Sequence, residues 1–179
     1  RDADALQRVA DKHQADIQRV LVTQFLFDRQ WRELKLYAKE RGIRLFGDIP
    51  IYIALDSADA WAHREMLLID DDGRPSTVAG VPPDYFSDDG QLWGNPLYDW
   101  AYHRDTGYAW WIERMRHLGR QCDLVRIDHF RGFESFWSVP FGESTAKNGK
   151  WVPGPANALF EAMKREIGPL GIVAEDLGV

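Results

Sequence analysis

A single cysteine, Cys122, stands in the 179 residues. One thiol excludes an internal disulfide and a cysteine-rich metal site, reads as a small buried hydrophobe, and fits a reducing compartment such as the cytoplasm. No apolar run reaches the roughly 18 to 20 residues that span a bilayer, and the charged opening Arg1-Asp2-Ala3-Asp4 lacks the apolar stretch of a secretion signal. No membrane association is expected. Clustered positive charge is missing too: 22 basic residues are scattered among 28 acidic ones, for a net charge of −6. Such a field repels a phosphate backbone, so nucleic acid is not an expected partner. There is no Gly-x-Ser-x-Gly elbow, no His-Glu-x-x-His helix and no phosphate-cradling glycine loop. Asp70-Asp71-Asp72-Gly73 lacks the alternate spacing and distal Glu of a calcium loop and reads as a surface turn. Neither an internal repeat nor a low-complexity tract is present.

At 45% hydrophobic and 28% charged, the chain has the composition and length of an ordinary globular domain. It begins without Met and stops at Val179 just after an apparent strand, so it is expected to be part of a longer polypeptide. Residues 1–41 contain no Gly and no Pro. Leu6, Val9, Ile17 and Val20, then Phe27, Trp31, Leu34 and Ala38, recur near helical spacing, which predicts long helix ending at Gly42 as a C-terminal cap. The run from Val20 to Phe27 has strand-like residue types, but no turn signal brackets it.

Three short apolar runs end in acids: Ile43 to Asp48, Leu124 to Asp128, and Ile172 to Asp176. Helical patterns precede the last two, over Tyr108–Gln121 with Trp111, Met115 and Leu118 on one stripe, and over Ala156–Ile167 with Leu159, Met163 and Ile167. Alternating helix and strand predicts a parallel sheet in an α/β fold. Residues 49–107 hold five of the nine prolines and form too long a connection for a plain loop; such segments are lids or insertions. Met66 to Asp70 and Ser76 to Ala79 are expected to make a small hairpin inside it.

Within the second run, side chains alternate, so Leu124, Arg126 and Asp128 share one face and Val125 and Ile127 the other. A guanidinium beside Asp128 favours the ionised carboxylate that a covalent nucleophile must be. Glu175 ends the third run, with Val173 rather than a cation as its neighbour along the strand, and an apolar setting would favour its protonated form. Two carboxyl groups in contrasting settings supply a retaining glycosidase mechanism, with Asp128 attacking and Glu175 donating and later accepting a proton. Acids after parallel strands also cap the next helix or pair with a neighbouring Arg, and for each acid taken singly the pattern leaves that open. His129 reads either as a donor to sugar hydroxyls or as a structural residue. Tyr85, Phe86, Trp93, Tyr98 and Trp100 suit stacking on sugar faces, or equally packing of the loop, with Trp93 the first choice for sugar contact.

Six segments together resemble the 4-α-glucanotransferases known as amylomaltases or disproportionating enzymes. They are Gly47-Asp-Ile-Pro-Ile-Tyr52, Trp61-Ala-His63, Gly80-Val-Pro-Pro-Asp-Tyr-Phe86, Gly90-Gln-Leu-Trp-Gly-Asn-Pro-Leu-Tyr-Asp-Trp100, Val125-Arg-Ile-Asp-His-Phe-Arg-Gly132 and Ala174-Glu-Asp-Leu-Gly178. The resemblance implies a partial (β/α)8 TIM barrel with long βα-loop insertions, residues 1–179 being part of one catalytic domain and 49–107 its lid or insertion region, within which Gly80 to Asp99 resembles the lid loop over the active site. It implies Asp128 as nucleophile, Glu175 as acid/base, Arg126 as the brace of the nucleophile, and Asp48 and Trp93 at the glucan; His129 and Asp176 are further candidates for substrate contact. It further implies transfer of α-1,4-glucan segments between malto-oligosaccharides in the cytoplasm, without metal or organic cofactor, and a third carboxylate after a later strand, outside this chain. An α-glucan hydrolase of the amylase clan and an inactive glucan-binding fragment are the alternatives. Oligomeric state is not readable.

Overall fold

The opening without Gly or Pro forms two helices rather than the single one expected. In the computed structural model, which describes residues 2–169 and 171–175, α1 (Ala3–Lys12) starts at Asp2, whose carboxylate accepts from the backbone N–H of Asp4 and Ala5. This is a side-chain cap of the ordinary kind. α2 (Gln14–Glu40) follows after one distorted residue, His13, at φ −111° and ψ 25°. The hydrogen-bond ladder still passes through it, His13 N–H to Val9 O and Ile17 N–H to His13 O, both at 3.0 Å. The break is therefore local. Gly42 (φ +70°) ends α2 as expected: its N–H bonds Lys39 O and that of Ile43 bonds Ala38 O, a left-handed cap that glycine adopts without steric cost. Ala38 is the buried residue of α2, while Val20, Leu21, Phe25 and Leu36 stand exposed. These helices form one of two units, Arg1–Leu45; the other is Phe46–Val179.

In the second unit, β1 (Phe46–Pro50), β4 (Leu124–Asp128) and β7 (Ile172–Ala174) make a three-stranded parallel sheet in the order β1-β4-β7. These are the three expected strands, with β1 displaced toward its C-terminal end. α5 (Ala109–Gln121) and α6 (Asn157–Ile167) supply the helices. Their predicted stripes face inward: Trp111, Met115, Leu159 and Met163 are buried against Val125 and Ile127 in one cluster.

Residues 49–107 are more structured than a lid. They hold α3 (Ala58–Ala62), α4 (Trp100–Asp105), β2 (Thr77–Val81) and β3 (Gln91–Pro96). The expected small hairpin is reduced to one bridge, Ile69 with Pro75, closed by Asp70 N–H to Arg74 O at 2.9 Å. β2 pairs with β3 and with β5 (Ser135–Pro140), and β5 with β6 (Lys150–Pro153), in an antiparallel sheet of order β3-β2-β5-β6. At Gly80 a Cβ would lie 2.5 Å from Gln91 O, so the two backbones approach through glycine. Cys122 is half-buried against the core. Among the described residues no helix is long and apolar enough to cross a membrane.

His103 on α4 is fully buried among Tyr98, Trp100 and Trp110, and neither ring nitrogen has a hydrogen-bond partner among the described residues. Burial pushes its imidazole from 6.5 down to about 4, against smaller opposing effects of the Met66 backbone and Asp99. The unfolded chain therefore takes up this proton first, and stability falls as pH drops from 6.5 toward 4, by up to ~3 kcal/mol. Chemical denaturation at pH 7 and pH 4.5 should show that loss, and His103→Phe should remove most of it. An equally steep pH dependence in His103→Phe would contradict the assignment.

Candidate active site

β4 reads Leu-Val-Arg-Ile-Asp, and its alternation is realised: Val125 and Ile127 are 5% and 0% exposed, while Arg126 and Asp128 lie half-exposed on the opposite face. Parallel pairing sets Asp48 of β1 opposite Arg126 and Pro50 opposite Asp128. On the other side Arg126 faces Val173 of β7, and the ladder's last bond, Glu175 N–H to Ile127 O at 3.4 Å, carries Glu175 to the same end of the sheet. Acids from three separate strands thus converge on one guanidinium.

Arg126 uses both terminal nitrogens of its fork. Nη1 donates to both oxygens of Asp48 at 2.9 and 2.8 Å, and Nη2 donates to Asp128 Oδ1 at 2.5 Å and to Glu175 Oε1 at 2.7 Å. Because the last two oxygens share one nitrogen, they are no farther apart than the sum of those lengths, 5.2 Å. The hydrogen bond to Asp48 is the largest influence raising the Arg126 guanidinium above its ordinary value, with Asp128 adding to it and desolvation opposing. The cation is secure; lysine could not replace it, since a single ammonium cannot satisfy this planar set.

The expected apolar setting of Glu175 is not what the fold builds. Although Val173 is its neighbour along β7, the cation arrives across the sheet from β4, and the second oxygen, Oε2, accepts the backbone N–H of His129 at 2.6 Å. The side chain of Glu175 is 15% exposed, against 48% for Asp128 and 62% for Asp48. Both oxygens are held by donors, so the carboxyl group is aimed by charge and hydrogen bonding rather than by apolar walls. Asp176 lies outside the described residues.

His129 follows β4 in the left-handed region at φ 57° and is 7% exposed. Its ring meets the Trp93 ring edge-on, with centroids 4.8 Å apart, and Tyr52 at 6.1 Å. Burial lowers its imidazole below the usual range, opposed by the charges of Glu175 and Asp128. Trp93, on β3, keeps 37% of its surface exposed while Nε1 donates to Gln91 Oε1 at 3.0 Å. The aromatic set proposed for sugar contact divides in two. Tyr98 is a core residue, 1% exposed, whereas Tyr85 and Phe86 are 98% and 93% exposed and touch edge-on, on a turn in which Asp84 Oδ1 accepts from the N–H of Phe86 and Ser87.

Other residues shape the site, and Tyr98 does so through a hydrogen bond and not through sugar stacking. The turn after β1 is held by Tyr98 Oη donating to Ile51 O at 2.8 Å, Arg114 Nη2 to Pro50 O at 2.8 Å, and Asn95 Nδ2 to Ile53 O at 3.0 Å. Tyr52 packs against Trp93, Tyr98 and His129. The segments Gly47–Tyr52 and Gly90–Trp100 pointed to Tyr52, Asn95 and Tyr98 as motif members. Arg114 gave no signal, being one polar residue on a helix. A separate cavity of about 390 Å³ beside α5, with Asp59, His63, Trp110 and Glu113 among its lining, includes none of the predicted site residues.

The glycoside hydrolase 77 family model, described as 4-alpha-glucanotransferase, matches residues 1–179. A 4-alpha-glucanotransferase of Synechocystis is 52% identical over 181 residues, covering 100% of this chain and 36% of that protein. One from Streptococcus pneumoniae is 54% identical over 157 residues, covering 88% of this chain and 31% of its own length. Among solved structures, the amylomaltase of Streptococcus agalactiae in complex with acarbose superposes with a TM-score of 0.95 at 44% identity, over 100% of this chain and 36% of that one. The chain thus spans about a third of the length of the relatives it matches.

Proposed function

Given that the chain belongs to the 4-alpha-glucanotransferase family, we propose that it is part of the catalytic (β/α)8 barrel of a retaining enzyme that transfers α-1,4-glucan segments between malto-oligosaccharides. The carrying observation is the convergence of Asp48, Asp128 and Glu175 on Arg126 at the ends of three parallel strands. In barrels of this class that end of the strands is where catalytic groups sit. One feature supports a closed barrel around the three strands: β1 pairs on one side alone among the described residues. Residues 49–107 then form an insertion over the mouth, and residues 1–179 belong to a single catalytic domain.

In this reading Asp128 attacks the anomeric carbon while Glu175 protonates the departing glycosidic oxygen, so that one C–O bond breaks as the ester C–O bond to Asp128 forms. Glu175 then removes the proton from an acceptor hydroxyl, whose oxygen displaces Asp128. Net charge and protons are restored. Two oxygens no more than 5.2 Å apart on one Arg126 nitrogen are compatible with retention, for which carboxyl groups lie about 5 to 5.5 Å apart. Asp48, Trp93, His129 and Asp176 line the glucan, and no metal or organic cofactor enters. The single thiol supports a reducing compartment such as the cytoplasm.

Transfer and hydrolysis differ in a conserved quantity. With maltotriose, transfer redistributes chain lengths at constant total reducing ends, whereas hydrolysis adds one reducing end per bond cleaved. Glucose and longer maltodextrins at constant reducing ends are expected; reducing ends rising in step with cleavage would make the protein a hydrolase instead.

A further inference from the structure

We propose that His129 is a positioning residue for Glu175, acting through its main-chain amide, and that Trp93 helps to hold it in place. This rests on the reading of Glu175 as the acid/base. Val125 N–H bonds Gly171 O, so a continued parallel ladder would aim the His129 N–H at the main-chain oxygen of Glu175. The chain leaves the ladder instead, turning left-handed at φ 57°, and the N–H is taken by the side-chain oxygen Oε2 at 2.6 Å. With Arg126 on Oε1 at 2.7 Å, the amide fixes the plane of the carboxyl group, which one donor alone would leave free to rotate.

A non-glycine residue in the left-handed region needs its surroundings to hold it there. They do so through the ring. The imidazole is enclosed by Trp93 and Tyr52, and its Nε2 is buried without a partner among the described residues, so the ring is seated by packing and not by a polar contact of that nitrogen. The turn then tightens through Gly132 N–H to His129 O at 2.9 Å, and a Cβ at Gly132 would stand 3.0 Å from His129 Cδ2 and 2.9 Å from Ile51 Cδ1. Trp93 belongs to the antiparallel sheet and Glu175 follows the parallel one; His129 touches both.

The test separates proton donation from the rest of the chemistry, in the full-length protein. An α-maltosyl fluoride needs little acid assistance to expel its leaving group, whereas maltotriose does. Valine cannot keep the left-handed turn, while asparagine tolerates it. For His129→Val, maltotriose transfer should fall about 100-fold, the lower end of an acid/base contribution, while single-turnover fluoride release should fall less than about 5-fold. His129→Asn should recover at least about 10-fold of the maltotriose loss. Losses equal on both substrates, or an Asn variant no better than Val, would overturn the inference. Thermal melting checks folding; should the Val protein not fold, the Asn protein carries the test, since its loss on maltotriose must exceed that on fluoride. Fluoride release by the wild type that disappears in Asp128→Asn is the control for the functional reading. Failure of that control strikes both readings, and equal losses with the control intact strike His129 alone.

Discussion

Asp128→Asn is expected to lower maltotriose transfer and fluoride release alike, each by at least about 10⁴-fold, the scale on which removal of a covalent nucleophile acts. The amide keeps the size of the side chain and one oxygen able to accept from Arg126 Nη2, so the turn after β4 should persist. What it lacks is the negative charge and the lone-pair basicity needed to form a glycosyl ester. Because Asp128 is 48% exposed and contributes nothing to the apolar cluster, the thermal midpoint should move by no more than a few degrees. The equal loss on both substrates is the decisive feature, since an activated leaving group relieves the need for an acid but not for a nucleophile. Wild-type fluoride release in Asp128→Asn would remove the residue from the mechanism.

Replacing the hub is the second large effect. Arg126→Met is expected to cost about 10³-fold in kcat/KM on both substrates, comparable to removal of a preorganised donor at a reacting charge. Asp48, Asp128 and Glu175 would then face one another without the cation that now satisfies an oxygen of each. Arg126→Lys should recover little, within about tenfold of Met, because a compact ammonium cannot donate in the plane to three acids at once. The guanidinium is partly exposed, at 30%, so solvent screening limits the effect on stability far more than the effect on geometry. An Arg126→Lys protein with near-wild-type kcat/KM would show that charge suffices and that the fork is unnecessary.

The legibility of the site varied with the range of the interactions that build it. The facing of Arg126 and Asp128 was readable because strand periodicity is local: residues two apart share a face whatever the surroundings. The stripes of α5 and α6 were readable for the same reason at helical period. β5 and β6 were not foreseen: β5 pairs with β2, far earlier in the chain, and β6 is joined to β5 by a connection longer than a tight hairpin turn, in a segment with no helix-and-strand alternation to announce them. For Glu175 the expected apolar setting failed because Val173 was its neighbour along the strand, while Arg126, 49 residues away in sequence, was its neighbour in space. Likewise the five aromatics singled out in the long connection form one group by composition, yet Tyr98 enters the core and Tyr85 and Phe86 face solvent.

Taken alone, the order of residues determined the α/β class, the three parallel strands, the cap at Gly42, and the acids at the strand ends, all of which follow from periodicity and turn chemistry within a dozen residues. Only the tertiary structure decided that one guanidinium holds three carboxylates, that the amide of a left-handed His129 completes the hold on Glu175, and that Trp93 reaches that histidine from a different sheet. The reason is physical: strand register and the closure of long loops bring together donors and acceptors from distant parts of the chain, and neither is encoded in any short window of sequence.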